Sequence, residues 1–215
     1  MGMEFFSTRA YEEVWIEQIA EAAGVSRGLL YHYFPTKRDF YVAVTRAAVD
    51  EAGELTEPDP TLRPGDRLRA GIDAFLHYAE EHSQGFLTAY RGALSGDVEV
   101  RAIVEEARQR QSARILATVT NQGEAPPLLR QVIRGWIALA QNMTAEWLQG
   151  QEVARDVMSE ILGRTLAAVI AAAAQADPEV ASALAGEAAD HGLGASGSAT
   201  LEIVAPPASA RPTRA

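Results

Sequence analysis

Gly24, Ser26 and Pro35 lie close together near the amino end, and they divide the chain there into helices too short to fold alone. All three fall in the stretch AAGVSRGLLYHYFPTK, residues 22–37. Before them, Ile16, Ile19, Ala20 and Ala23 recur at helical spacing, which predicts a helix over residues 16–23 that Gly24 ends. Ser26 stands where an N-cap is wanted. A second short helix is therefore expected over residues 27–34, stopped by Pro35, and Thr36 then caps a third over residues 37–52. A further short helix is expected around residues 4–9. Isolated helices below about 12 residues are marginal in water, so these segments must be held by packing against one another.

Helical periodicity continues through most of the chain, with no sustained alternation of β-branched residues, and the fold class is all-α. The two prolines of TEPDP, residues 56–60, mark a junction between a head, 1–52, and a body, 61–176. Within the body, residues 66–82 place Leu68, Ile72, Phe75, Leu76 and Ala79 on one stripe, 85–94 form a shorter helix, and 98–119 stripe Val100, Ile103, Val104, Ala107, Ile115 and Leu116. EAPP, residues 124–127, breaks the pattern again. Residues 128–148 follow with a broad apolar face of Leu129, Val132, Ile133, Trp136, Ile137, Ala140, Met143 and Trp147; Gly150 ends this helix, and 153–174 make a last long one. Both are dotted with small residues (Gly135, Ala138, Ala140, Gly163, Ala167, Ala168) that permit close helix packing. A homodimer interface through 128–148 and 153–174 is the expectation, a central core of one subunit the alternative. Residues 177–215 are rich in Gly, Ala, Ser and Pro, with one apolar island at 201–204, and are expected to be a disordered tail.

The charge is unevenly spread. Over residues 25–48 the chain carries Arg27, Lys37, Arg38 and Arg46 against Asp39 alone, a local charge of +3 in a protein of net charge −10, which leaves −13 for the remainder. A basic head on an acidic body grips phosphate within a Debye length of about 8 to 10 Å, while the body repels DNA elsewhere. The chain has no cysteine, so thiol redox chemistry and thiolate metal sites are excluded. None of His32, His77, His82 or His191 follows a glutamate by three residues, and no phosphate loop or nucleophile elbow is present. No catalytic residue, metal or cofactor is expected. The longest apolar run, residues 166–174, is far below the roughly 18 to 20 residues of a membrane span, so the expected location is cytoplasmic, with no membrane partner.

A helix closed by glycine, a turn through Val25 and a capped second helix match a helix-turn-helix, whose second helix enters the major groove of DNA. With Ser26 as cap, Leu30 and Phe34 fall inward against Ile19 and Ala20. Arg27, Gly28, Leu29, Tyr31 and Tyr33 are left to point outward or sideways. Tyr31 suits a phosphate oxygen and Tyr33 a base edge or methyl group, while Gly28 removes a side chain where DNA presses closest. Glycine costs about 1 kcal/mol of helix propensity relative to alanine, so some gain should offset it. Lys37, opening the next helix, is placed to hold a phosphate.

Residues 19–44, IAEAAGVSRGLLYHYFPTKRDFYVAV, resemble the DNA-binding signature of the TetR family of bacterial transcriptional regulators. The resemblance implies a three-helix head with its first helix shortened, on a helical ligand-binding and dimerisation body. It implies a homodimer on a double-stranded DNA operator of palindromic half-sites, acting as a repressor that a small-molecule effector releases. Carried over by position, Ser26, Arg27, Gly28, Leu29, Tyr31, Tyr33 and Lys37 form the DNA-binding set, with Tyr31 and Lys37 as phosphate contacts. Four positions depart from the pattern: Leu29 replaces a common threonine, Tyr33 a common histidine, Trp15 a common serine or threonine cap worth about 1 kcal/mol, and Ala10 a common glycine at the end of the first helix. Only Met1 to Glu4 precede Phe5, where relatives carry about ten residues or more, so either translation starts upstream or the head is weakened. The rival reading is a regulator-like ligand- or protein-binding protein with such a head. Inward positions of the middle helices supply candidate effector contacts at Phe75, Tyr78, His82, Tyr90, Trp136, Gln141, Asn142 and Met143, for which ordinary core packing is the alternative.

Overall fold

The computed structural model describes residues 5–6, 11–94, 97–150 and 152–190. Among these the regular structure is helical: a 3-10 turn at Tyr11–Glu13, then α1 (Ile16–Ala22), α2 (Arg27–Tyr33), α3 (Lys37–Leu55), α4 (Pro64–Glu81), α5 (Ser83–Leu94), α6 (Val98–Val119), α7 (Pro127–Gly150), α8 (Arg155–Ala176) and α9 (Pro178–Asp190). The helix expected around residues 4–9 falls mostly outside the described residues; only Phe5 and Phe6 are seen, in helical conformation.

The other expected helices are present, each end within three residues of its expected place. α4 starts earlier than expected because Pro64 takes its first position, where the missing N–H costs nothing. α8 starts two residues later than expected, at Arg155. The carbonyl of Val153, just before it, accepts a hydrogen bond from the Trp147 indole at 2.7 Å. Ala23, placed by periodicity on the inner face of α1, is exposed as the residue closing that helix.

The chain forms two compact units, each threaded by several segments. The first gathers residues 1–57, 74–111 and 139–154. Its head core is a cluster of Phe6, Val14, Ile16, Ile19, Phe40, Tyr41 and Val100, with Phe5, Leu30, Tyr31, Phe34 and Val44 packed partly buried against it. Phe6 meets the Tyr41 ring edge-on at 4.9 Å, and its carbonyl accepts from the Thr88 hydroxyl at 3.3 Å. Thus α5 and α6 both reach the head. Burial raises the Tyr41 phenol above its ordinary value.

The second unit gathers, among the described residues, 58–73, 112–138 and 155–190. Leu129, Ile133 and Ile137 of α7 and Leu162, Leu166 and Ile170 of α8 are fully buried there. The Trp136 indole donates to the Leu162 carbonyl at 3.2 Å and to Thr165 Oγ1 at 3.1 Å, satisfying a buried N–H that would otherwise be costly. α8 is long and apolar enough by length and composition to cross a membrane. Its buried stripe of Met158, Leu162, Gly163, Leu166, Ile170 and Ala173 and its charged residues Arg155, Asp156, Glu160 and Arg164 make it instead a packed helix of the unit.

The tail expected from residue 177 onward opens as α9, a correction to the sequence reading. Asp177 Oδ1 accepts the Glu179 amide at 2.8 Å, Pro178 takes the first helical position, and Val180 is fully buried. An acidic cap, a proline and an alanine-rich run are a helix start. Residues 191–215 lie outside the described residues.

Candidate nucleic-acid interface

The turn between α1 and α2 is built by its own sequence. Gly24 adopts φ +67, a left-handed conformation that glycine enters without a Cβ penalty. The Val25 amide donates to the Ala20 carbonyl at 3.0 Å and the Gly24 amide to the Glu21 carbonyl at 3.1 Å. This is a Schellman end, which closes the carbonyls of α1 and reverses the chain. Ser26 is then extended, and its Oγ accepts the Leu29 amide at 3.1 Å as the N-cap of α2. Phe34 ends α2, its ring edge-on to Phe40 at 5.1 Å. Thr36 and Asp39 form a full capping box at the start of α3: Thr36 Oγ1 accepts the Asp39 amide at 3.1 Å, and Asp39 Oδ2 accepts the Thr36 amide at 3.0 Å.

These caps orient α2. Leu30 and Phe34 pack on the head core as expected, and Tyr31 packs there too, half-buried. On the other side, Leu29 and Tyr33 are 46% and 68% exposed, and Arg27, Gly28 and His32 are open to solvent. A Cβ built on Gly28 meets nothing within 4 Å, so no contact inside the chain requires a glycine there. Trp15 precedes α1 with no side-chain cap and is 61% exposed.

The cations of the head are more engaged than their count implies. Arg27 Nε pairs with Glu17 Oε1 at 3.0 Å, and Lys37 Nζ lies 4.4 Å from the centre of the Tyr11 ring. On α3, Arg38 pairs with Asp97 at 3.1 Å and with Glu99. Arg46 pairs with Glu106 at 3.0 Å, and Asp50 accepts from Arg110 at 2.7 Å. The partners stand 59 to 61 residues apart throughout, so α3 and α6 run parallel in constant register. The hydrogen bond from Arg46 holds the Glu106 carboxyl below its ordinary value. Burial pushes the Asp97 carboxyl up, but the Val100 amide and Arg38 outweigh it and the net shift is downward. Arg38, hydrogen-bonded to Glu99, is held above its usual value. Two of the four cations counted toward the basic head are thereby paired with acids of α6. Sequence carries no local signal for these pairs or for Glu17.

Among the candidate effector contacts, Phe75 meets Phe86 at 5.8 Å and Phe86 stacks on Tyr90 at 6.4 Å. The Tyr90 hydroxyl donates to Asn142 at 2.8 Å, and Arg108 Nε donates to the adjacent Gln141 at 2.6 Å. Tyr78 donates to the Ala48 carbonyl of α3 at 3.2 Å, and its ring lies 4.4 Å from that of His82, which is exposed. Burial, with Glu51 second, raises the Tyr78 phenol. Met143 is half-buried, and Trp136 belongs to the second unit with its indole engaged as described. Among the described residues, no group of three or more His, Cys, Asp or Glu side chains is placed to hold a metal ion.

A capped helix pair joined by a left-handed glycine turn, with an exposed aromatic face on the second helix, defines a helix-turn-helix head on an all-helical body. Residues 2–44 match the family model described as bacterial regulatory proteins, tetR family, and residues 64–171 match the tetracyclin repressor-like C-terminal domain. A TetR-family transcriptional regulator from Streptomyces coelicolor of known structure is 33% identical, with 88% of this chain and 85% of that one covered at a TM-score of 0.77. The HTH-type transcriptional activator FasR of Mycolicibacterium smegmatis is 28% identical over 67% of this chain and 68% of its own. Thermus thermophilus FadR, solved in complex with lauroyl-CoA, shares the fold at 20% identity and a TM-score of 0.54, over 79% of this chain and 89% of that one. The chain belongs to the TetR family and is a DNA-binding transcriptional regulator.

Proposed function

We propose that the chain is a cytoplasmic homodimeric repressor that binds a palindromic operator through α2 and leaves it when a small molecule occupies the body. Arg27, Gly28, Leu29 and Tyr33 face the major groove, and Ser26, Tyr31 and Lys37 contact the phosphates on either side. The observation that carries this reading is the outer face of α2, where Leu29 and Tyr33 are exposed beside a glycine that no internal contact requires. Leu29 offers an apolar contact to a thymine methyl where a hydroxyl is more usual. The protein acts by binding alone and needs no cofactor.

Dimerisation uses the outer face of α8, where Val157 and Ile161 are 46% and 42% exposed and Ala168 continues the stripe. Gly135 on α7, whose Cβ position is open, suits a close approach by the partner helix. The effector lies among Phe75, Tyr78, Tyr90, Gln141 and Asn142, with His82 and Met143 as further contacts. The FadR complex makes an acyl-CoA thioester the first class to try. Because Tyr78 is hydrogen-bonded to α3, an effector that moves it shifts α3 and with it the roughly 34 to 36 Å spacing of the two recognition helices. Such couplings are worth about 1 to 3 kcal/mol.

DNase I footprinting on the DNA flanking the protein's own gene tests the reading. Two protected half-sites about one helical turn apart support it; no protection at low salt rejects it. FasR is named an activator, so a promoter fusion with and without the regulator settles the sign.

A further inference from the structure

Arg27 opens α2, and its side chain is held from two directions. Nε donates to Oε1 of Glu17 in the first turn of α1 at 3.0 Å, and the guanidinium carbon lies 5.4 Å from the centre of the Tyr31 ring. Tyr31 packs on the head core, so the ring is a fixed platform rather than a loose neighbour. A guanidinium presents five N–H donors in a planar fork. A carboxylate on the Nε edge takes one of them and leaves the far end, Nη1 and Nη2, directed away from it.

That end is the part that recognises a base. In the major groove, two parallel acceptors at fork spacing are the O6 and N7 of guanine; adenine replaces O6 with an amino donor, cytosine offers a donor, and thymine a single acceptor beside a methyl. The Arg27 and Glu17 side chains are 64% and 43% exposed, and ion pairs this open contribute little to folding. The consequence of the pair therefore lies in what it does to the arginine. It fixes the fork, and it offsets the charge that would otherwise attach Arg27 to any phosphate within reach.

We infer that Arg27 reads a guanine in each operator half-site, and that Glu17 is the positioning residue that presents the fork to it. The inference rests on α2 being the groove-facing helix. Glu17 touches no base; it converts a sequence-blind cation into a reader.

The test begins with selection of preferred duplexes from a random library by the full-length wild-type protein. Affinities are then measured for the selected duplex and its single-base variants, and for an unrelated duplex, with wild type, Arg27→Ala, Glu17→Ala and Glu17→Gln. One guanine per half-site is expected whose replacement by adenine weakens wild-type binding about 5- to 140-fold, the span of one good bidentate contact. Its replacement by 7-deazaguanine, which lacks only the N7 acceptor, also weakens binding. Neither change affects Arg27→Ala. In Glu17→Ala the penalty shrinks towards one while binding to the unrelated duplex tightens, and Glu17→Gln, whose amide oxygen still accepts from Nε, restores most of it. A merely structural role for Glu17 would weaken every duplex equally.

Base preferences unchanged in Arg27→Ala, or a lost preference for a base other than guanine, overturn the assignment while leaving the groove-facing helix intact. A full guanine penalty in Glu17→Ala overturns the positioning role. Failure of the wild type to select any duplex overturns the underlying interface instead. The base-analogue measurements on wild type need no variant to fold.

Discussion

The Arg46 guanidinium on α3 donates to the Glu106 carboxylate on α6 at 3.0 Å, and the same 60-residue offset brings Arg110 to Asp50 further along the two helices. The helix that follows the recognition helix is thus tied by charge to a helix of the body. The tie is exposed to solvent, so its worth depends on pH and salt.

The Glu106 carboxyl sits below its ordinary 4.5 in the folded protein, so its contribution to stability is present above that value and is lost as pH falls through the folded one. The Asp97 carboxyl, lowered from 3.8, behaves alike. Urea unfolding of wild type and Glu106→Gln should differ most near neutral pH, and the difference should shrink as pH falls below the ordinary carboxylate value towards the lower folded one. A difference that persists unchanged at pH 3 would show that the charge of Glu106 is not its source.

Thr36 is half of the capping box that starts α3. Thr36→Ala should cost about 1 kcal/mol, read as a lower urea midpoint at unchanged slope. Thr36→Ser keeps the hydroxyl and should recover most of the loss.

Trp15 occupies the N-cap of α1 at φ −108 and ψ 132, the extended geometry of a capping residue, without a side chain able to cap. Trp15→Ser should therefore stabilise the protein by about 1 kcal/mol, and its melting temperature should rise. A fall would mean that the indole makes a packing contribution larger than a cap.

Two isoleucines of the second unit separate the core from the proposed interface. Ile133 is fully buried, and Ile133→Ala should cost about 2 to 5 kcal/mol by opening a cavity. Ile161 is 42% exposed, so Ile161→Glu should leave the helical circular dichroism intact while halving the mass seen in sedimentation. A variant that keeps the wild-type mass would move the dimer interface off this face.

What the sequence made legible was local. Gly24, Ser26 and Pro35–Thr36 mark ends that depend on backbone geometry and caps within four residues, and each end lies within three residues of where those signals put it. The outer face of α2 follows from the same arithmetic. The contacts between α3 and α6 were not legible, because charged residues some 60 positions apart carry no mark of one another. Arg38 and Arg46 therefore read as free cations of a basic head, although each is paired. Glu17 and Arg27 lie on either side of the turn between α1 and α2, outside the three- or four-residue spacing that marks a pair on one helix. At Asp177 the failure was different: the start signal was present, but the composition of the residues that follow outweighed it, and α9 read as tail.

If the outer face of α2 reads DNA, Tyr33 should matter there most, because it is 68% exposed and its ring meets His32 edge-on at 5.4 Å. The measurement is fluorescence anisotropy of wild type and Tyr33→Ala on the selected duplex and on a scrambled one, beside the melting temperature of each protein. In Tyr33→Ala the melting temperature should be unchanged and affinity for the selected duplex should fall about tenfold, with the scrambled duplex bound as before. Equal binding of both duplexes by wild type, or an unaltered preference in Tyr33→Ala, would contradict a DNA-reading role for that face.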